Sequence, residues 1–302
     1  MRHTKENTPI YKDTHRAYRQ RCHHHDDECT VQVVVAETDL HITLLRSSLA
    51  KDGCDDARSV SSIGNNDDAR SVSSIENNDA TRSINVIEDT YNTQSIIEDI
   101  TKYICTLRGQ IEAWCALQPE FRYSLTPVSV PNSAPDIIQR MAHGSQLMGV
   151  GPFAAVAGTI AQMVAEEFHK QSEELIIENG GDIYIYTGKE RIIGILAQPD
   201  DDGGMIGIMV KPQSSPVSLC ASSAYIGHSL SFGHGDVAVI RSKNASLADS
   251  AATFYCNMLK TGDDVARVIN HAKGLEHLGI TGIYAQCCGQ IGIWGDMELA
   301  AV

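Results

Sequence analysis

The sequence is poor in aromatic residues and in positive charge, and both shortages exclude classes of function. Phe, Trp and Tyr make up 6% of the 302 residues, too few for a platform on which nucleic-acid bases stack. Lysine and arginine number 24 against 38 acidic residues, so the formal net charge is −14 and the chain repels phosphate backbones. We therefore expect no nucleic-acid partner.

Long hydrophobic runs are also missing. No stretch approaches the roughly 18 apolar residues of a membrane-spanning helix, and the opening MRHTKENTPIYKDTHRAYRQR lacks the apolar core of a secretory signal. The nine cysteines are odd in number and irregularly spaced, in a chain too long to need disulfide staples. These features favour a cytoplasmic protein with reduced thiols and no membrane partner.

The spacing of the apolar residues, 42% of the chain, predicts helices and strands. Alternation over 31–45 is typical of extended structure. Ser95 and Glu98 form a capping box, after which apolar residues recur every three or four positions and predict a helix ending before Pro119. Further helices are predicted over about 135–147, 149–170, 247–260 and 263–273, with strands over most of 175–242 and a hairpin over 280–295.

This order of elements predicts an α+β fold, a mostly antiparallel sheet packed with helices. Short connections between successive strands favour antiparallel pairing, and helices gathered in blocks argue against a doubly wound sheet. One domain over 1–302, carrying an inserted segment at 51–92, is the simplest organisation.

The inserted segment contains a twelve-residue tandem repeat. DDARSVSSIGNN (55–66) is followed by DDARSVSSIENN (67–78) and a decayed copy, DATRSINVIEDT (79–90). Each unit is too short and too polar to bury a face, which favours a disordered surface insertion. Serines beside arginine also fit a phosphorylated or partner-binding arm, and the sequence leaves both interpretations open.

Four other segments carry residues suited to a ligand. In LADSAAT, Asp249 and Thr253 lie four apart on a predicted helix, where a carboxylate and a hydroxyl suit a hard cation. A solvated helix face with an Asp near its N-terminus also explains the spacing.

In GVGPF, Gly149 and Gly151 lead into a helix N-terminus whose N–H groups suit a phosphate, although an ordinary flexible helix entry has the same residues. A stripe of small residues follows and predicts a close neighbour: Ala154, Ala157, Gly158, Ala161 and Ala165.

The two remaining segments are turns or loops between strands. In CASSAYIGHSLSFGHGD, Ser222, Ser223 and His228 suit a polar ligand, although a long polar connection has the same composition and no nucleophile elbow is present. In NGGD (179–182), two glycines and a carboxylate separate two strands, a combination suited to close approach of the backbone to a ligand. By contrast CHHHDDEC (22–29) lacks a second ligand pair at zinc spacing, so a charged loop is the simpler interpretation.

Together and in this order, GVGPFAAVAG, NGGD, CASS with the following His228, and ASLADSAAT (245–253) resemble the ApbE-like superfamily, whose named members are FAD:protein FMN transferases. YRQR, VVAETDL and GHSLSFG favour a cytoplasmic branch of it. The resemblance covers most of the chain outside 51–92. It implies FAD or FMN as the ligand, with Asn179, Gly180 and Gly181 against the flavin nucleotide and Asp182 fixing the turn or a ligand group.

The resemblance further implies that the helix after GVGP receives a diphosphate, and that a main-chain carbonyl near Ala155 helps Asp249 and Thr253 hold Mg²⁺. Two departures bear on catalysis, for which His228 and Asp249 are the candidates. The transferases carry Ala-Lys-Gly-Tyr where this chain has AAVAGTIA without lysine, and HIIDPRTG is replaced by HSLSFGHG. The hypotheses are therefore a flavin- or nucleotide-binding protein of cofactor metabolism, an FMN transferase, and a non-catalytic scaffold whose repeats bind a protein partner.

Overall fold

A computed structural model describes residues 28–35, 37–45, 79–195, 206–224 and 235–301. Its main element is an antiparallel sheet of eight described strands in the spatial order β1-β2-β3-β4-β7-β8-β9-β10. The strands are β1 (Glu28–Val35), β2 (Thr38–Leu45), β3 (Leu175–Asn179), β4 (Asp182–Tyr186), β7 (Val217–Ser222), β8 (Val237–Ser242), β9 (Ile280–Cys287) and β10 (Gln290–Gly295). Two-residue connections join β1 to β2, β3 to β4 and β9 to β10, as short antiparallel hairpins require, whereas helices lie between β2 and β3 and between β8 and β9.

A second sheet covers one face of the first. It pairs β11 (Leu299–Ala301), β6 (Ile206–Val210) and β5 (Arg191–Ile195), all antiparallel. Along β8, Val237 and Val239 pack with Ile208 of this small sheet, while Ala238 and Ile240 belong to the core under the helices. Side chains alternate between the two faces of a strand, and β8, which is buried at every position, is apolar on both faces over Val237 to Ile240.

Helices cover the other face of the large sheet. They are α1 (Asp79–Leu117), α2 (Glu120–Tyr123), α3 (Asp136–Met148), α4 (Val156–Phe168), α5 (Ala245–Met258) and α6 (Asp264–Gly274). A 3-10 helix, Pro152–Ala155, leads into α4, and proline is tolerated in that first turn because its missing N–H needs no partner there. The α+β fold with a mostly antiparallel sheet is confirmed.

The predicted start of the first helix is wrong. Ser95 is not an N-cap, because α1 begins at Asp79 and includes the third copy of the repeat. The spacing of apolar residues marks only the part of this helix that packs on the core, through Ile100, Ile104 and Ile111. The first two copies, 55–78, lie outside the described residues, and the interpretation of the arm stays a prediction.

The small residues of α4 mark a close helix crossing. A Cβ on Gly158 would lie 2.7 Å from the carbonyl oxygen of Ala245 and 2.9 Å from Cβ of Asp249, and one on Gly144 of α3 would lie 2.5 Å from the carbonyl of Ser246. Only hydrogen fits at these two positions. The predicted close neighbour of α4 is therefore α5.

Within the part of the chain that the structure describes, no single helix is long and apolar enough to cross a membrane. The helices over Asp136–Met148 and Pro152–Gln171, bent by 104° at their junction, pass that test together on length and composition alone.

Candidate functional site

The NGGD segment forms the tight turn between β3 and β4. Gly180 has φ of 69° and Gly181 has φ of 110°, values that L-residues with a Cβ adopt at a cost. The nearest atom to a Cβ on Gly181 would be the carbonyl oxygen of Ala221 at 3.9 Å, an ordinary contact. A two-residue hairpin turn with positive φ at both positions thus accounts for both glycines by itself.

The polar residues on either side of that turn face the start of α4. Asn179 donates a hydrogen bond from Nδ2 to the carbonyl oxygen of Ala157 at 3.1 Å. Asp182 opens β4 and is opposite Cys220 of β7 in the strand register. Burial raises the pKa of the Asp182 carboxyl to about 7, although hydrogen bonds from the Cys220 thiol and the Ala221 backbone act in the opposite direction.

Asp249 approaches the same place from α5. Its Oδ2 accepts a hydrogen bond from the backbone N–H of Gly158 at 2.8 Å, and its carboxylate also receives one from the Ala157 backbone. These N–H groups belong to the first turn of α4, so Asp249 caps that helix from a distant part of the chain. Burial first, and the charge of Asp182 second, raise the pKa of Asp249 well above its usual range.

The expectation that Asp249 lies on a solvated helix face is wrong. Asp249 is 8% exposed, and the first turns of α5 are buried between α3, α4 and the sheet. The cause is the crossing at Gly158, which brings the α5 backbone against α4 and covers most of the Asp249 side chain. Thr253, one turn further along α5, is half-buried.

The capping also affects the predicted phosphate position. A helix N-terminus attracts one anionic group strongly, and at α4 the carboxylate of Asp249 occupies that place.

Gly149 has a local role as the left-handed C-cap of α3, with φ of 71°. Gly151 is required by packing, because a Cβ there would lie 1.8 Å from the carbonyl oxygen of Ser124. The carbonyl oxygen of Ala155, the remaining predicted cation ligand, accepts a hydrogen bond from the Thr159 hydroxyl.

The hydroxyls of the CASS segment end β7 beside the NGGD turn. Ser222 and Ser223 are both buried. Cys220 and Ser222 are two apart on a strand, so their side chains share a face, and Cys220 belongs to the core on the helix side. His228 and the surrounding segment 225–234 lie outside the described residues, as do residues 22–27 of CHHHDDEC.

Three buried side-chain oxygens of the NGGD turn, the CASS segment and α5 lack a hydrogen-bond partner. They are Oδ1 of Asp182, Oγ of Ser222 and Oγ of Ser250. A buried polar atom without a partner costs about 1–3 kcal/mol, and two of these three lie on the helix-facing side of adjacent strands at the same sheet edge. They are the kind of atoms that a bound polar ligand would pair.

The sequence prediction missed Cys220 of this cluster and named Gly158 only as part of the small-residue stripe. Cys220 lies between the two carboxylates: its thiol hydrogen-bonds to Asp182, and burial, then the charges of Asp182 and Asp249, raise its pKa well above the usual range. Gly158 makes the approach of α5 possible. Both occur in segments singled out above, but their role depends on strand register and helix crossing, which no local pattern contains.

A separate cavity of about 410 Å³ opens at the N-terminus of α5. Its lining is polar: Gln139, Arg140, His143, Gln162, Asn244 and Ser246. Arg140 pairs with Glu166 at 2.7 Å, and the Gln162 side chain accepts from the Ala245 backbone. Because Arg140 and Gln162 already have these partners and no lining residue belongs to the predicted site, the carboxylate cluster is the better candidate.

Comparison with known proteins assigns the chain to a family. The sequence model of the family described as AbpE bacteria matches residues 81–278, so the chain belongs to that family, and membership of the ApbE-like superfamily is confirmed. The UPF0280 protein of Methanocaldococcus jannaschii is 36% identical over 194 residues, which cover 63% of this chain and 78% of that protein. The UPF0280 protein of Methanobrevibacter smithii is 40% identical over 181 residues, 59% of this chain and 76% of that protein.

Solved structures resemble the chain more distantly. The flavinyl transferase ApbE of Pseudomonas stutzeri, in its apo form, is 10% identical, with a TM-score of 0.49 over 89% of this chain and 94% of that chain. The flavin transferase ApbE of Vibrio cholerae is 11% identical, with a TM-score of 0.42 over 89% and 97% of the two chains. Similarity at this level carries no argument about activity.

Proposed function

We propose that the chain binds a flavin nucleotide or a related phosphorylated nucleotide, together with Mg²⁺, where the NGGD turn, the end of β7 and the face of α5 meet. The observation that carries the proposal is the pair of buried unpartnered oxygens, Oδ1 of Asp182 and Oγ of Ser222, at this meeting point. A buried polar atom without a hydrogen-bond partner lowers the stability of the folded protein. A polar ligand that forms hydrogen bonds with these atoms restores that free energy.

The protein side of the site would act mainly through backbone and hydroxyl groups. Gly180 and Gly181 present a turn without side chains, so a flat ring system can lie against the main chain. Ser222, Ser223 and His228 would supply hydrogen bonds to polar groups of the ligand. Because Asp249 caps α4, the phosphates would be held through a cation and not by the N–H groups of that helix.

The residues present fit a hard cation. Asp182 and Asp249 are buried carboxylates that interact electrostatically, and Asp182 retains a free Oδ1. An ionised carboxylate has lone pairs beyond those used in one or two hydrogen bonds, so capping α4 leaves Asp249 able to bind a metal. Asp249, Thr253 and the carbonyl oxygen of Ala155 would hold Mg²⁺, which prefers oxygen ligands. When bound, the cation neutralises a diphosphate and stabilises charge that develops on it.

The direct test is titration of the full chain with FAD, FMN and ADP, each with Mg²⁺ and with a chelator, by calorimetry. We expect saturable binding of at least one flavin nucleotide that weakens when Mg²⁺ is removed. Ser222→Ala removes one unpartnered oxygen and should weaken binding without unfolding the protein. The matched control is Ser129→Ala, which changes an exposed serine distant in sequence from the site. Absence of binding to all three nucleotides would contradict the proposal.

The same preparation separates binding from transfer. Incubation with FAD, Mg²⁺ and a serine- or threonine-containing acceptor should leave the acceptor mass unchanged if the chain only binds the nucleotide. A mass increase equal to FMN would establish the transferase alternative instead. Binding of a protein partner that disappears on deletion of 53–90 would establish the arm as an interaction module.

A further inference from the structure

Two adjacent cysteines form an unusual turn at the end of β9. Cys287 is the last residue of the strand and is buried, whereas Cys288 is exposed. Cys288 has φ of 51° and is the one non-glycine residue with positive φ among the residues that the structure describes. Glycine, asparagine and aspartate dominate such hairpin positions because a Cβ costs about 1–2 kcal/mol there. Cysteine offers no conformational advantage at this position.

The turn brings the two thiols together. Neighbouring side chains in an extended strand point to opposite faces of the sheet, but the left-handed conformation of Cys288 returns its side chain toward Cys287. The Sγ atoms are 3.8 Å apart. A disulfide would require about 2.05 Å. Two sulfurs bound to one atom at about 2.3 Å are separated by roughly 3.3–3.8 Å, with the smaller value for a pyramidal trivalent centre, so a single bridging atom spans this pair after a small rotation of the side chains.

The surroundings favour neutral thiols. Burial, followed by the hydrogen bond with the neighbouring thiol, raises the pKa of Cys287 to about 12, and the carboxylates of Asp236 and Asp264 act in the same direction. A protonated, buried thiol reacts poorly with alkylating agents, which require a thiolate. It does react with a hydroxyl-bearing metalloid, since each thiol then gives its own proton to the departing hydroxyl.

We propose that Cys287 and Cys288 form a dithiol site for a trivalent arsenical or a chemically similar thiophilic metalloid. In the binding step two As–O bonds of the hydrated ligand break, two As–S bonds form and two waters leave, with no change of oxidation state. The dithiol lies at the same end of the sheet as Ser222 but two strands away, about 10 Å at the usual strand spacing. It is therefore a site separate from the proposed nucleotide site.

The test uses phenylarsine oxide on the full-length, reduced chain, followed by a monothiol wash and intact-mass measurement. We expect one phenylarsine group that survives the monothiol wash, consumes two thiols and is removed by a dithiol such as dithiothreitol. Cys288→Gly should lose this group while keeping the fold, because glycine accepts the left-handed conformation more easily than cysteine. Cys287→Ala should also lose it.

The matched control is Cys105→Ser, which removes an exposed cysteine of α1. This variant should retain the monothiol-resistant group in full. Retention of the group by Cys288→Gly, or its absence from the parent chain, would overturn the proposal. Circular dichroism of Cys288→Gly before labelling establishes that any loss comes from the missing thiol and not from unfolding.

Discussion

Asp182→Asn should change how the stability of the protein depends on pH. Asp182 is 6% exposed, and burial raises its pKa from the usual 3.8 to about 7. Between these two values the carboxyl is protonated in the folded chain and ionised in the unfolded chain. Stability therefore falls as pH rises from the lower value to the higher, and remains low above it.

The size of the effect follows from the width of that window. Each unit of pKa difference corresponds to about 1.36 kcal/mol, and the carboxyl is half ionised in the folded chain at the upper end of the window, so a rise from about pH 5 to about pH 7 lowers the free energy of unfolding by about 2 kcal/mol through this group alone. Asparagine does not titrate. The difference in stability between the parent and Asp182→Asn should thus shift by about this amount in favour of the variant across the same interval.

Urea unfolding at several pH values, followed by circular dichroism in the presence of a chelator, measures this difference. Asp264→Asn is the control with opposite sign, because hydrogen bonds from the backbone of Lys260 and Thr261 lower the pKa of Asp264. Its contribution to stability is present at neutral pH and lost as the pH falls through the lowered value. Parallel pH profiles for the parent and Asp182→Asn would refute the assignment of a buried, hard-to-ionise carboxyl at this position.

Four further substitutions test backbone conformation and packing in the domain. Gly181→Ala should lower the free energy of unfolding by about 1–2 kcal/mol because φ is positive there; Gly109→Ala, in the exposed interior of α1, should raise it by about 0.5–1 kcal/mol in the same urea assay. Arg191→Met should lower it by about 3–5 kcal/mol, because Glu28 and Glu174 would keep buried charges without their cation; urea midpoints close to the parent's would contradict that reasoning. Gly158→Ala should destabilise by about 1–3 kcal/mol through overcrowding against α5, and a thermal melt unchanged from the parent would show that the crossing is looser than described.

Much of the fold follows from local pattern. Helix α3 begins with Pro135 as its N-cap, and the hairpin of β9 and β10 lies within the predicted 280–295. Apolar spacing and turn residues are properties of short segments, so they are readable from one sequence. The start of α1 was missed because its first turns belong to the third copy of the repeat, whose first two copies are polar and predict an inserted segment, although Ala80, Ile84, Ile87 and Tyr91 recur there at helical spacing.

At the candidate site, local sequence patterns identify the residues but not the long-range contacts between them. The segments containing Asp182 and Asp249 could be named from the sequence, and the structure brings them together. That Asp249 is buried and caps α4 depends on the contact at Gly158, whereas the position of Asp182 opposite Cys220 depends on the register between β4 and β7. Long-range geometry of this kind arises only when the whole domain packs. The glycines of the turn illustrate the converse, since a hairpin requires them whether or not a ligand lies nearby.

The central claim is that Asp249 helps to hold a cation with a bound nucleotide, and Asp249→Asn tests it most directly. Asparagine keeps one oxygen for the N–H of Gly158 but has no charge for Mg²⁺, a hard cation that requires anionic oxygen ligands. Calorimetric titration with FAD should show Mg²⁺-dependent affinity in the parent, a modest loss in Thr253→Val and a large loss in Asp249→Asn, with circular dichroism showing that all three are folded. If folded Asp249→Asn binds Mg²⁺ and FAD as tightly as the parent does, Asp249 only caps α4 and the proposed site is wrong.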